Sequence, residues 1–311
     1  MLDPSGLVFR PLLHDDIGSA TDLLMLGSPS GVRYHLAVQL AAAEAGERGC
    51  AFVAEWEGSI VGSALLSDDP LLPGLVSTLV AVAEPARKSG VGSALADLLG
   101  EQLQHEALPA YCKLPDDQFE GRRFAERRGF VLCGHSLGWS LDLTARDGTL
   151  ERAAREAARS ADVRIRQADM RKELDTVLEC ALRCMPGMPS EQHVAPEKAR
   201  KYLPDDAIVL LAEREVPGQG QGPRAIGLTA LSPRIETAAW YTLFTGVAPA
   251  HRRSGVARAL KTESFLRARH ARAQSVVTHN HDTNDAIIGL NTSFGMQPAP
   301  GYWDLRQPRP A

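Results

Sequence analysis

The sequence predicts an α/β fold made of two copies of one domain in tandem, each a mixed β-sheet flanked by helices. Length is the first reason: 311 residues exceed one ordinary domain and suit two. A repeated motif is the second. Arg87-Lys88-Ser89-Gly90-Val91-Gly92-Ser93-Ala94-Leu95 returns 165 residues later as Arg252-Arg253-Ser254-Gly255-Val256-Ala257-Arg258-Ala259-Leu260. The third is that other landmarks keep the same order at nearly the same offset. Ile60–Leu65 matches Ala225–Ala230, and Arg128-Gly129-Phe130 matches Phe294-Gly295-Met296. Self-similarity of this kind marks a duplicated unit. The halves are expected at 1–145 and 161–311, joined by a helical linker over 146–160.

Each half reads in the same element order. An extended opening (Leu7 to Leu12; Val163 to Arg166) precedes an acidic residue suited to cap a helix, Asp15 or Asp16 in the first half and Asp169 in the second. After a helical region come two strands, Cys50–Trp56 and Ser59–Leu66, matched by Ile208–Glu213 and Ala225–Leu231. Pro217 to Pro223 is rich in Gly and Gln and reads as a hairpin tip. A Val- or Thr-rich strand leads into each Arg motif, Leu75–Val82 and Ala238–Val247. A helix follows each, Val91–His105 and Val256–Ala271, with Val91, Leu95, Leu98, Leu99 and Leu103 spaced along one face. A short strand (Leu108–Lys113; Ser275–His279), a helix (Asp117–Arg128; Asn284–Phe294) and a closing extended run (Val131–Leu143; Gly301–Gln307) complete each half. Between the halves, Glu151 to Arg159 is Ala-rich with charges at helical spacing and reads as an exposed helix.

Composition narrows the function. Apolar residues make up 44% of the chain and the net charge is −4, so each half can bury a core and no basic face for nucleic acid is expected. No run approaches the length of a membrane span, and Met1 to Phe9 lacks the pattern of a signal peptide. The 5 cysteines form no CxxC pair, which fits reduced thiols in a cytoplasmic protein. Cys180 and Cys184 stand four apart on a helical segment, read as buried small residues, with no further ligands nearby for a metal.

The Arg motifs carry the chemistry. A glycine-containing turn from a strand into a helix leaves backbone N–H groups aimed at one spot, and the helix dipole adds positive charge there. That makes an anion site suited to a pyrophosphate. Gly90 and Gly255 allow close approach, Gly92 and Ala257 stay small, and Arg87 and Arg252 add charge at the rim. One copy is a weak signal. Two copies, each after a strand and before an amphipathic helix, are a strong one.

These residues resemble a known family. Val247-Ala248-Pro249-Ala250-His251-Arg252-Arg253-Ser254-Gly255-Val256-Ala257 is similar to the acetyl-CoA signature of the GCN5-related N-acetyltransferase (GNAT) superfamily. Val82 to Gly92 resembles the same signature with its proline displaced by one position. Thr278-His279-Asn280, Asn284, Asn291 and Gly295-Met296 resemble the C-terminal half of tandem acetyltransferases related to mycothiol synthase. The resemblance covers nearly the whole chain and is more specific in the second half. It implies two GNAT-like domains whose sheets splay after the Arg-motif strand. The gap holds the pantetheine arm of acetyl-CoA, against Val80 and Val82 in the first half and Thr245 and Val247 in the second. It implies further coenzyme contacts at Arg87, Lys88, Ser89, Gly90, Val91 and Gly92, and at Arg252, Arg253, Ser254, Gly255, Val256, Ala257, Asn280 and Asn284.

The activity implied is transfer of an acetyl group from acetyl-CoA to the primary amine of a small molecule, by direct attack, in a monomer or homodimer. The backbone near Val247 is the candidate donor to the oxyanion. The sequence departs from the family at the acid. The Tyr expected four residues before the closing glycine is Ala125 in the first half and Asn291 in the second. A thiol pKa near about 8.5 makes the thiolate a tolerable leaving group without an acid. No base stands out in the first half, so that half is expected to be degenerate, keeping the fold with or without its coenzyme, and the chemistry is placed in the second. Candidates there are His279, which titrates near neutral pH or is a surface residue, and Glu236, a base through water or a solvated loop charge. Tyr241 and Thr242 line the acceptor pocket or belong to the core. Asn284 caps its helix, binds the coenzyme, or both, and Tyr302 and Trp303 lie late enough to reach the pocket. The alternative is a CoA-binding tandem module that has lost catalysis.

Overall fold

A computed structural model describes residues 6–27, 33–47, 49–68, 74–104, 108–145, 148–185, 206–215, 223–234 and 237–307. It resolves into two compact units, residues 1–136 with 300–311, and residues 137–299. These units differ from the sequence halves in their closing strands. The last strand of the chain belongs to the first unit, and the strand that closes the first repeat runs on into the second.

The first unit opens with β1 (Leu7–Pro11), α1 (Ile17–Gly27), α2 (Arg33–Glu44), β2 (Cys50–Trp56), β3 (Ser59–Asp68) and β4 (Val76–Val82). It continues with α3 (Val91–Leu103), β5 (Ala110–Pro115), α4 (Phe119–Arg127) and the start of β6 (Val131–Asp142). The order across its sheet is β1-β2-β3-β4-β5, followed by β12 (Gln297–Gln307) and then β6. From β1 to β12 the neighbours are antiparallel except β4 and β5, which are parallel. Side chains alternate along the strands as the pleat requires. Val53 and Leu65 pack under Leu24 of α1 and Leu40 of α2, while Ala54 and Leu66 pack under Val91, Leu95 and Leu99 of α3.

The second unit holds the end of β6, α5 (Thr149–Ser160), β7 (Arg164–Gln167), α6 (Leu174–Cys184), β8 (Ile208–Arg214) and β9 (Arg224–Pro233). β10 (Ala239–Val247), α7 (Val256–His270), β11 (Ser275–His281) and α8 (Asp285–Ser293) follow. Its strands lie in the order β7-β8-β9-β10-β11-β6; from β7 to β10 the neighbours are antiparallel, and β10 and β11 are parallel. Val177, Cys180 and Cys184 of α6 cover Leu211 and Leu228, and Val256 and Leu260 of α7 cover Leu210 and Ile226. The expectation of buried thiols at Cys180 and Cys184 holds, and all five cysteines are free.

Two local expectations change. Residues 149–160 of the linker are helical, as α5, but this helix is not free. Ala154 and Ala161 are buried, and Glu151 pairs with Arg269 of α7. Asp16 does serve the helical start: its Oδ2 accepts from the Leu13 amide at 2.8 Å in the 3-10 turn (His14–Asp16) that leads into α1. Asp169 does not cap α6, which begins only at Leu174; it accepts from the amide of Arg171 in a turn. Arg10 grips Asp16 and Glu55, and Arg166 grips Glu173 and Glu213 in the same way. The hairpin tip read at 217–223 falls outside the described residues except for Pro223.

Candidate functional site

The same turn is built twice. A one-turn 3-10 helix (Glu84–Ala86; Pro249–His251) follows the strand. Lys88 and Arg253 then take the left-handed region at φ 62° and 60°, and Gly90 and Gly255 take it at 89° and 83°. A left-handed residue with a side chain costs roughly 1–2 kcal/mol. Such strain is kept where a site demands it. Ser89 Oγ donates to the Ala86 carbonyl at 2.6 Å, and Ser254 Oγ to the His251 carbonyl at 2.7 Å. Arg87 and Arg252 fold back and donate from Nε to the last strand carbonyls, Val82 and Val247, each at 3.1 Å. They brace the turn rather than reach out at its rim.

Gly90 and Gly255 are the N-caps of α3 and α7 and bring no capping side chain. The first-turn amides of each helix, including those of Val91, Gly92, Val256 and Ala257, therefore have no internal partner. The approach to the two turns differs. A Cβ on Gly90 would meet nothing within 4 Å, whereas one on Gly255 would stand 3.5 Å from Ala161. Behind the turns, Gly62 and Gly227 let each helix lie close on its sheet. A Cβ at Gly62 would be 2.8 Å from Val91 and Leu95 side chains, and one at Gly227 would be 3.2 Å from Leu260. Burial, then the cations of Arg214 and Arg224, push the His251 imidazole below its ordinary range.

Beside each turn the parallel strands part. β4 and β5 pair only at Val76–Ala110 and Ser77–Tyr111, and β10 and β11 only from Ala239–Ser275 to Tyr241–Val277. The Ala83 amide donates to Val61 and the Ala248 amide to Ile226, both away from the gap. Alternation in an antiparallel ladder then turns the peptide groups of Val80, Val82, Thr245 and Val247 toward it. In the second unit β10 also carries a bulge between Thr242 and Phe244, a feature concentrated next to active sites. β3 and β4 pair without a register shift in the first.

The remaining candidates divide. Across the parting strands of the second unit, Tyr241 Oη lies 3.2 Å from His279 Nδ1, and Arg234 sits over the Tyr241 ring at 4.5 Å. Thr242 is buried, its hydroxyl without a partner. Asn291 is fully buried and donates to Asn280 Oδ1 at 2.7 Å, which engages both amides. Asn284 is the N-cap of α8, accepting from the Ile287 amide. Glu236 lies outside the described residues. Tyr302 and Trp303 belong to the first unit, paired with Pro115 and Leu114 of β5.

In the first unit, β12 brings a polar cluster that the sequence reading missed. Asp304 is buried and accepts from the Tyr111 hydroxyl and, at 2.9 Å, from Ser136, with Lys113 Nζ at 3.6 Å. No local signal tells that a residue so late in the chain completes the first unit. The gap of the first unit also opens into a cavity of about 590 Å³. Among the described residues there is no cluster that would hold a metal ion, and no helix long and apolar enough to cross a membrane.

Comparison with known proteins agrees with this geometry. The family model described as "Acetyltransferase (GNAT) family" matches residues 23–130. This match falls on the first half of the chain. No curated protein sequence matches the chain. Among solved structures, a tandem GNAT protein from the clavulanic acid biosynthesis pathway is 18% identical, covers 96% of this chain and 98% of its own, and superposes with a TM-score of 0.68. A GCN5-related N-acetyltransferase from Sphaerobacter thermophilus is 14% identical, with 98% and 96% covered and a TM-score of 0.66. A GCN5-related glucosamine N-acetyltransferase region of a fungal multi-domain GH3 β-N-acetylglucosaminidase is 14% identical over 96% of this chain and 38% of its own, at a TM-score of 0.69. The family match over residues 23–130 and the likeness of fold along the whole length make this chain similar to tandem GNAT proteins.

Proposed function

We propose that the protein is an acetyl-CoA-dependent N-acetyltransferase that acts on the primary amine of a small molecule. One observation carries the reading. A strained, uncapped turn at a helix N-terminus stands beside two parallel strands that have parted, and the arrangement occurs in both units. The exposed amides suit a pyrophosphate, and the inward peptide groups of Val80, Val82, Thr245 and Val247 suit an extended pantetheine that adds itself like a strand. Acetyl-CoA bound there supplies a thioester carbonyl open to attack by an amine.

The second unit remains our candidate for the chemistry. His279 is suited to take the proton of the incoming ammonium on a ring nitrogen, and its Nδ1 contact with the Tyr241 hydroxyl orients the imidazole. The bulge at Leu243 redirects backbone beside this pair. Neither Ala125 nor Asn291 can donate a proton to a departing thiolate, so the thiolate leaves unaided. The amide–amide contact between Asn291 and Asn280 orients both side chains under the gap.

The test is release of CoA thiol when the full chain and acetyl-CoA meet a panel of small primary amines, together with acetyl-CoA binding by calorimetry. Turnover with any amine supports the reading. Binding without turnover across the panel leaves the alternative, a CoA-binding module without catalysis. Absence of binding overturns both.

A further inference from the structure

The two units differ most behind their gaps. In the first, the cavity is walled by Val80 of β4, Leu114 of β5, Ala96 and Gly100 of α3, and Phe124 and Ala125 of α4. Val80 and Leu114 lie beyond the last paired residues, Ser77 and Tyr111, so the cavity is continuous with the space between the parted strands. At the matching positions of the second unit stand larger side chains. Lys261 replaces Ala96, Phe265 replaces Gly100 and Asn291 replaces Ala125. All three are buried, and Phe265 packs edge-on against Phe294 at 5.1 Å. The second unit fills this region with an aromatic pair and a long aliphatic stem. The first leaves it open, with Ala96, Gly100 and Ala125 at these three positions and with Asp97, Glu101 and Arg128 also in its lining.

The space is partly open to solvent and mainly apolar in its walls, so an apolar group that displaces water from it gains the free energy of burial. The volume of about 590 Å³ falls among pockets that hold whole small ligands. An acetyl group, with three non-hydrogen atoms, would leave most of it empty. We propose that the first unit binds a CoA thioester whose acyl chain is much longer than acetyl, the chain lying in the cavity between α3 and α4. This rests on the coenzyme reading given above, since the Gly90 turn holds the nucleotide end and the gap delivers the sulfur. The second unit, filled by Phe265 and Lys261, has room for a short acyl group alone.

The experiment is calorimetry on the full chain with CoA, acetyl-CoA and octanoyl-CoA. Each buried methylene is worth about a fourfold gain in affinity. Octanoyl-CoA is therefore expected to bind at least about tenfold tighter than acetyl-CoA. Gly100→Phe, which copies the second unit, should abolish that advantage while acetyl-CoA still binds. Ala96→Leu narrows the same cavity more gently and should reduce it, which keeps the test decisive if Gly100→Phe fails to fold. Equal affinities in the unaltered chain overturn the inference while leaving the coenzyme reading intact. So does an octanoyl preference that survives in folded Gly100→Phe or Ala96→Leu protein. Failure of every CoA species to bind overturns the coenzyme reading, and this inference with it.

Discussion

Tyr241 and His279 meet through a 3.2 Å hydrogen bond at the place where β10 and β11 separate. Each side chain comes from a different strand, so the pair spans the mouth of the gap. If His279 takes the substrate proton, activity falls on the acid side as the imidazole becomes protonated. His279→Gln should lower kcat by roughly 100-fold or more and erase the acidic limb of the pH profile. Tyr241→Phe should alter the midpoint of that limb and leave acetyl-CoA affinity unchanged. A His279→Gln protein with full kcat and an intact limb would exclude the role.

Gly90 and Gly255 occupy backbone that a β-branched residue cannot adopt without strain. Gly90→Val and Gly255→Val should each cost at least about 1–2 kcal/mol of local stability and remove one coenzyme site. Native mass spectrometry of the full chain with saturating CoA should register two bound molecules for the parent and one for each variant. Two bound molecules on both variants would mean that the turns do not grip the nucleotide.

Lys261 is almost wholly buried, with no carboxylate partner among the described residues and the Phe265 ring 5.8 Å from its Nζ. Burial lowers its pKa to about 8. A lysine lowered in the folded state binds more protons when unfolded, so stability rises with pH through the window from about 8 to the ordinary lysine value. Below that window the folded chain carries a cost on the order of 3 kcal/mol. Lys261→Met keeps the stem and drops the charge. It should raise the unfolding midpoint of the second unit near neutral pH and flatten the alkaline rise. A Tm that falls at neutral pH would show that the ammonium is stabilising.

Asp304 ties Tyr111, Ser136 and Lys113 together inside the first unit. Asp304→Ala removes the buried acceptor that Tyr111 and Ser136 share, at a cost of about 1–3 kcal/mol. Deletion of residues 300–311 goes further and bares the edge of β5. Hydrogen exchange should then show lost protection in β4, β5 and α3, with α7 and β10 protected as before. Equal loss in both units, or none, would contradict the division of the chain.

What the sequence made legible was local. The Arg motif fixes its own turn through Gly90 and Gly255 and through the Ser-to-carbonyl bonds at Ser89 and Ser254. These need only neighbours in sequence, and the turn was readable from spacing. The partners of the closing strands were not. Val131–Asp142 and Gln297–Gln307 are similar extended runs, and nothing within either specifies which sheet edge it meets. The sequence consequently assigned Tyr302, Trp303 and Asp304 to the wrong neighbourhood. Asp169 looked like a helix cap because local rules do not show that Glu173, held by Arg166, takes the Asp169 amide and delays the start of α6. The cavity of the first unit escaped notice for a related reason. Ala96, Gly100 and Ala125 are unremarkable one at a time, and only their convergence creates the space.

The strand that completes the first unit leaves the ribosome after the entire second repeat has been made. For most of its synthesis the N-terminal sheet thus carries an unpaired β5, a surface open to wrong partners. Maturation cannot proceed as two successive, self-sufficient folding events. Nor can recombination lift either repeat out as a working module by cutting between them, since one cut leaves the first repeat without the last strand of its sheet. Duplication produced two similar parts, and the exchange of a strand has made them inseparable.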